Sequence, residues 1–560
     1  MLLEFSKIAT CRGRRYDGFM AIDQTKPQAT GNATEPALKQ EWLLPAILIL
    51  GVAIRFIGIG RESLWFDELY NIWANKLPFG DMLREQIAAG HPPLYYLAVR
   101  AWYAFGTGEE WVRSFSAVAG IFTLVFVFLA GRDLFSRRIG LWAAAFAAVS
   151  PLLVWYSRAN TFYAFMIALT ALSFWLLIRA SLQGGWGNWA LYTIAASGVL
   201  FSYFYGAVLV GAGWLFFLLI GQRDRRAITP WLVSQAVLLG VTATTYIMSK
   251  SAITEAPSFR ILSLGQLRFL LYDIIISPAV LIAGKADAAI NYTGAQGFPV
   301  AHVMLFALAV LVLAAAAFFS KTIRDTLFNR KTVAIYCYVI PLVAGPMILQ
   351  LIHGGTLSGR FYVWAAPAFL LLVAVIIAAM PRRIGFLAGV AALAALLVLS
   401  FWIVRDSSSG DSDWRSLMGT ISEDQMDGDM LVSFPLHNGA IAADYYLPKA
   451  IPIAGGMPSL SEDAIYFLPP GNVWGGYISG YWAGSGATPP LAGAKLEDRF
   501  SADISGAKRL WVVTADDTFT RYPEVNNVLD AGWHKKQSWD YPPVTLILFD
   551  AKGSAANPAP

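Results

Sequence analysis

The stretch RFIGIGRESLWFDELY, residues 55–70, closes the first strongly apolar segment of the chain, and AAGHPPLYY, residues 88–96, follows it in the same polar interval. An acidic pair, Asp67 and Glu68, therefore stands immediately outside an apolar helix. A helix needs about 20 apolar residues to cross the hydrocarbon of a bilayer. Residues 42–60 supply the first such segment. Working outward, comparable segments lie at 111–131, 139–156, 162–180, 188–204, 206–220, 230–249, 300–320, 333–352, 361–380 and 384–404. Two further apolar stretches are ambiguous: 92–106 is short and carries Arg100, and 267–284 carries Asp273 and Pro278.

Composition agrees with this reading. The chain is 56% hydrophobic and only 14% charged, with a mean hydropathy of +0.52, more apolar surface than a soluble globule can hide. The formal charge of +5 is small, and the Lys and Arg residues fall in short clusters between apolar runs. That pattern reports topology and not nucleic-acid binding. Cys11 lies in a polar tail and Cys337 in an apolar run, so no disulfide is expected. Residues 1–41 are polar and mixed, without a signal-peptide pattern, and are expected to be a disordered cytoplasmic tail.

The basic loops GRDLFSRR (131–138), GQRDRR (221–226), KTIRDTLFNRK (321–331) and PRR (381–383) share one side with the tail only if 92–106 does not cross. The positive-inside rule therefore favours about eleven spans. HPPLYYLAVRAWYAF becomes a juxtamembrane helix at the outer interface, where Tyr95, Tyr96, Trp102 and Tyr103 would sit. The segment 267–284 receives the same reading. Asp67, Glu68, His91, SRANTFY (157–163), the loop 250–298 and HGGTLSGR (353–360) then share the outer face. So does everything after Arg405, where the short β-rich runs DMLVSF, RLWVVT and VTLILF are separated by Gly, Pro and Asp. Residues 405–560 read as a compact periplasmic domain of mixed α and β structure. The expected fold is thus an α-helical polytopic membrane protein with a C-terminal mixed α/β domain.

Each polar feature of the outer face has two readings. Asp67 could act as a general base, since a carboxylate flanked by Trp65, Phe66 and Tyr70 is partly desolvated yet accessible from the lipid. It could equally be the N-cap of a helix running from Glu68 to about Lys76. His91 could donate a hydrogen bond to a phosphate or acceptor, or merely precede a Pro-Pro helix start. Arg55, Arg113, Arg158 and Arg360 lie in or beside apolar runs and cannot shed their charge. A lipid-borne phosphate would satisfy them; snorkelling to the interface is the alternative. IYFLPPGNVWGGYISGYWAG (465–484) alternates aromatics with glycines, as a sugar-stacking loop or a self-packed loop would.

Taken together, SLWFDE after the first span, HPPLYY, WVRSFSAVAG, SPLLVWYSRANTFYAF and SGRFYVWAAPAFLLL, in that order, resemble the GT-C superfamily of polyprenyl-phosphate-dependent glycosyltransferases. The similarity covers about residues 42–404, with the outer loop 61–110 as its catalytic loop, and the DWR at 413–415 also fits. It is greatest to the branch related to bacterial protein O-mannosyltransferases and aminoarabinose transferases. The resemblance implies that Asp67 is the base, with Glu68 as a supporting or alternative carboxylate. The second outer loop has Asn160 where related enzymes often carry an acid, which moves Arg158, Asn160 and Tyr163 towards substrate binding. Arg158 and Arg360 would hold the donor phosphate, with Arg55, His91 and Arg113 nearby. The implied reaction moves a sugar, with inversion, from a polyprenyl phosphate to an envelope glycan, lipid or protein at the bacterial inner membrane. No metal is required on this reading; a divalent cation shared with the phosphate is the alternative. A transporter or flippase of lipid-linked sugars, and a non-catalytic scaffold, are the rival functions. The visible absence of half-to-half symmetry argues against the first of these.

Overall fold

The structure, a computed structural model, describes residues 41–88, 91–222, 225–249, 320–352, 359–405, 413–433, 436–449, 453–455, 494–515, 523–542 and 544–552. The N-terminal tail, the span expected at 300–320, the stretch 267–284 and the aromatic run 465–484 lie outside them. Helix α1 covers Leu43–Phe56. Three short helices and the first long span follow: α2 (Phe66–Lys76), α3 (Phe79–Ala88), α4 (Leu94–Tyr103) and α5 (Glu109–Leu134). The bundle continues with α6 (Arg137–Val149), α7 (Pro151–Ser157), α8 (Phe162–Gln183), α9 (Trp186–Leu200), α10 (Ala207–Ile220) and α11 (Arg225–Ser249). After the gap come α12 (Lys321–Leu327), α13 (Arg330–Ile352), α14 (Ala366–Ala379) and α15 (Arg382–Arg405).

Every expected span from 42 to 249 and from 333 to 404 falls on helix. The chain is a multi-pass membrane protein: five described helices are long and apolar enough to cross a bilayer, or six with one bent pair. That pair corrects the expected span 139–156. Helices α6 and α7 meet at 60°, because Pro151 has no amide hydrogen to donate and forces Ser150 into an extended conformation (φ −66°, ψ 119°). The Ser150 side chain then caps α7 by accepting from Leu153 N. Helix α5 packs against α6 and α8 around a continuous apolar core that also takes in α9, α10, α13 and α14. Gly131 and Gly140 bring α5 and α6 together so closely that a Cβ on Gly131 would stand 2.7 Å from Gly140 Cα.

The C-terminal region is α and β in alternation, as its short apolar runs imply. It comprises α16 (Trp414–Asp424), β1 (Asp429–Ser433), α17 (Leu436–Tyr446), β2 (Ile453–Gly455), α18 (Ala494–Ile504), β3 (Arg509–Ala515), α19 (Pro523–Gly532), β4 (Trp533–Tyr541) and β5 (Val544–Ala551). The strands form one sheet in the order β2-β1-β3-β5-β4, parallel from β2 to β3 and antiparallel from β3 to β4. Strand β1 is buried throughout, which is why DMLVSF reads as an unbroken apolar run and not an alternating one. A second apolar core joins this domain to the loop helices: Leu69, Ile72, Tyr95 and Val112 share it with Trp414, Leu417, Ile441, Trp511 and Leu546.

Candidate active site

Helix α2 carries the acidic pair and has two working faces. It begins at Phe66 with Trp65 as N-cap, two residues earlier than expected, so Asp67 is inside the first turn and does not cap it. Glu68 Oε2 accepts from Trp65 N at 3.3 Å instead. Two carboxylates in the first turn suit the positive end of the helix dipole.

On one face, Glu68 is fully buried. Its Oε1 accepts from Arg113 Nε at 2.7 Å and from Asn160 N at 2.6 Å; its Oε2 accepts from Arg113 Nη2 at 2.6 Å. With the Trp65 bond, all four lone-pair positions of the carboxylate are occupied. Arg113 is equally engaged. Its Nη1 donates to Ile59 O and Glu62 O and its Nη2 to Ser63 O, so five N–H groups meet five acceptors. Asn160 completes the joint. Its carbonyl accepts from Asn71 Nδ2 at 2.7 Å, and its Oδ1 accepts from the hydroxyls of Tyr103 at 2.8 Å and Tyr95 at 3.4 Å. These contacts fix α2 to α5 and to the turn before α8. They also explain α4, which the sequence places at the membrane interface: Tyr95, Tyr96 and Tyr103 are buried in protein.

Two further arginines hold helix ends. Arg158 donates from Nη1 to Ile54 O, Arg55 O and Ile57 O and from Nη2 to Gly58 O. Ile54 O and Arg55 O belong to the last turn of α1, where carbonyls lack intrahelical partners, and Ile57 O and Gly58 O follow it directly. Arg55 does the reciprocal task. Its Nη1 and Nη2 donate to Ala148 O and Ala147 O, freed by the α6–α7 break, and its Nε to Ser157 Oγ. Gly120 of α5 leaves room for this contact, since a Cβ there would lie 2.8 Å from Arg55 Nε.

The other face of α2 carries Asp67 and, one turn on, Tyr70. Asp67 is half-buried and acts electrostatically on Tyr96. The ring of Tyr96 lies 5.9 Å from that of His91, and His91 also packs at 5.7 Å on Phe162, next to Tyr163. His91 N donates to Gln86 O at 2.8 Å. Burial, helped by the charge of Arg360, lowers the His91 imidazole to about 4, so it is neutral at pH 7. The structure thus brings Asp67, His91, Tyr163 and Arg360 to one region, and places Glu68, Arg113 and Asn160 in a joint behind it. Among the described residues no three His, Cys, Asp or Glu side chains cluster as a metal site.

Sequence reasoning missed a clamp on the loop between α1 and α2. Arg415 of α16 donates to the carbonyls of Gly60, Arg61 and Glu62 and pairs with Glu109. Tyr446 of α17 donates to Glu109 Oε1 at 2.6 Å and accepts from Leu64 N at 2.8 Å. Lys76 and Asp444 pair at 2.7 Å. The DWR motif was the available signal. Also missed were Glu85 and Gln86, buried on α3.

The comparisons bear on the architecture as a whole. ArnT from Cupriavidus metallidurans bound to undecaprenyl phosphate superposes with a TM-score of 0.55 at 12% identity, covering 94% of this chain and 100% of that one. The fold is similar to that of this ArnT along nearly the whole chain. The apo form of the same ArnT gives 0.55 at 11% identity, covering 91% and 98%. The archaeal oligosaccharyltransferase AglB from Archaeoglobus fulgidus, in complex with an inhibitory peptide and a dolichol-phosphate, scores 0.48 at 11% identity and covers 93% and 75%. Residues 90–247 match the family model described as dolichyl-phosphate-mannose-protein mannosyltransferase. The match takes in α4 to α11 and begins after Asp67. A search of curated protein sequences finds no match.

Proposed function

We propose that this chain is a membrane glycosyltransferase that moves a sugar from a polyprenyl-phosphate donor to an acceptor on the outer side of a bacterial inner membrane. The observation that carries the reading is the full-length GT-C architecture shared with an ArnT seen bound to undecaprenyl phosphate. The mannosyltransferase family match over residues 90–247 supports it.

Within that reading, Asp67 is the base. It stands about 100° around α2 from Glu68, and it can take the proton from an acceptor hydroxyl as the sugar leaves its phosphate. Displacement in one step by that hydroxyl inverts the anomeric centre. Glu68 serves as a positioning residue, because its acceptor positions are already filled. The donor phosphate goes to Arg360, with neutral His91 beside it as a hydrogen-bonding group. Arg55, Arg113 and Arg158 hold the frame.

The test uses purified protein in lipid nanodiscs with a panel of polyprenyl-phosphate sugars, extracted envelope glycans and lipids as acceptors, and mass spectrometry of the lipid. Wild type consumes one donor, and Asp67→Asn does not. Failure of wild type to bind undecaprenyl phosphate or any of its glycosides overturns the proposal.

A further inference from the structure

Helix α3 turns an unusual stripe into the protein. Met82, Glu85 and Gln86 occupy positions i, i+3 and i+4, and all three are buried, Glu85 at 2% exposure and Gln86 at 0%. On a helix that served packing alone, this stripe would be apolar. Glu85 Oε1 receives the Tyr70 hydroxyl at 3.4 Å. Glu85 Oε2 and both Gln86 amide atoms, Oε1 and Nε2, have no hydrogen-bond partner. The Tyr70 hydroxyl lies near Gln86 too without reaching hydrogen-bond geometry. A buried polar atom without a partner costs about 1–3 kcal/mol. Three of them side by side are a standing cost that a ligand would relieve.

The position of the stripe says which ligand. Tyr70, the neighbour of Glu85, follows Asp67 by one helical turn, and Tyr96 lies within electrostatic reach of both. The backbone of Gln86 is bonded to His91, which faces Arg360. Helix α3 therefore meets both parts of the candidate site: Gln86 adjoins the segment that carries His91, and Glu85 accepts from Tyr70, one turn from Asp67. We infer that Glu85 and Gln86 form the subsite for the neutral, hydroxyl-bearing sugar of the donor, beside the phosphate site and the base. This rests on the glycosyltransferase reading above and names the part of that site that sees the sugar.

The chemistry of the pair fits a vicinal diol. Burial raises the Glu85 carboxyl to about 7 with no cation contributing, so near neutrality much of it is protonated and can donate as well as accept. A primary amide does both at once. A sugar hydroxyl is likewise both donor and acceptor, so two adjacent hydroxyls can meet Gln86 Oε1 and Nε2 together. A cationic sugar would instead favour an ionised carboxylate with no need of the amide donor.

Binding of undecaprenyl phosphate and of its mannosyl, glucosyl and arabinofuranosyl esters is measured in nanodiscs for wild type, Glu85→Gln, Glu85→Leu and Gln86→Leu. Wild type prefers one glycoside over the bare phosphate by about tenfold, the yield of one or two net hydrogen bonds. Both Leu variants reduce that preference to within about twofold and leave the affinity for undecaprenyl phosphate unchanged. Glu85→Gln, neutral and still a donor and acceptor, keeps most of it. Because Gln86→Leu removes buried atoms that have no partner, the thermal unfolding temperature of the ligand-free protein stays level or rises. The inference is overturned if both Leu variants retain the preference, if wild type prefers no glycoside, if Glu85→Gln loses as much as Glu85→Leu, or if Gln86→Leu unfolds more readily. Undecaprenyl phosphate left unbound by wild type overturns the glycosyltransferase reading, and this inference with it.

Discussion

Replacing Glu68 by Gln separates positioning from chemistry at the acidic pair. The carboxylate accepts four hydrogen bonds, two of them from the Arg113 guanidinium, and both side chains are buried, at 0% and 5% exposure. In a glutamine one oxygen becomes an NH2 group. Placed at Oε1 it faces Arg113 Nε and Asn160 N; placed at Oε2 it faces Arg113 Nη2 and Trp65 N. Either way two attractive contacts become donor against donor, and a buried guanidinium loses its counter-charge. Removing one partner of such a pair costs about 3–5 kcal/mol. Thermal unfolding in nanodiscs should therefore show a large loss for Glu68→Gln and a comparable one for Arg113→Met. The double variant should lose far less than their sum, because neither charge is then left alone. A cycle that adds within about 0.5 kcal/mol would refute the joint. So would a Glu68→Gln protein that is as stable as wild type yet inactive, the result expected if Glu68 were itself the base.

The companion substitution, Asp67→Asn, should lower transfer to a hydroxyl acceptor by about 10²–10⁴-fold while leaving undecaprenyl phosphate binding and thermal stability unchanged, which lipid mass spectrometry and unfolding curves together report. The pH dependence of stability carries two opposed contributions. The folded-state pKa of His91 is lowered to about 4, so the unfolded chain takes the proton first and stability falls as pH drops from about 6.5 towards 4. That of Glu85 is raised to about 7, so its contribution runs the other way, and stability falls as pH rises from about 4.5 to 7. His91→Gln should therefore make unfolding more alkali-sensitive across that window, and Glu85→Gln more acid-sensitive, both readable from melting curves at stepped pH. In the clamp, Arg415 is 41% exposed, so its ion pair with Glu109 is worth at most about 1 kcal/mol. Arg415→Leu should leave global stability nearly intact but speed amide exchange across residues 59–66, measured by hydrogen–deuterium exchange; unchanged exchange would count against the clamp.

How much of this was legible follows from the physics of each feature. Spans were legible because hydrocarbon thickness sets segment length, and the short β-rich runs of the C-terminal region marked β1, β3 and β5 directly. The break at Ser150 was missed although Pro151 announces it, since hydropathy averages over a proline. Arginine burial was legible, but its partners were not. A guanidinium satisfied by helix-end carbonyls, as in Arg55 and Arg158, leaves no second charged residue in the sequence to betray the pairing. Asn160 likewise reads as a lost acid, while its surroundings use both ends of the amide and its own backbone. Glu85 and Gln86 were detectable in principle from their helical spacing with Met82.

The two carboxylates of WFDE differ in role because they differ by about 100° around a helix. That rotation aims Glu68 at Arg113 and Asn160, and it leaves Asp67 aligned with Tyr70 and the α3 stripe. Glu68 takes the arginine. The clamp works in the same direction. Arg113 and Arg415 divide the carbonyls of residues 59–63 between them, one from the membrane domain and one from the C-terminal domain. A loop fixed from both sides holds α2 in a set orientation, the rigidity that the proposed role of Asp67 as a base calls for.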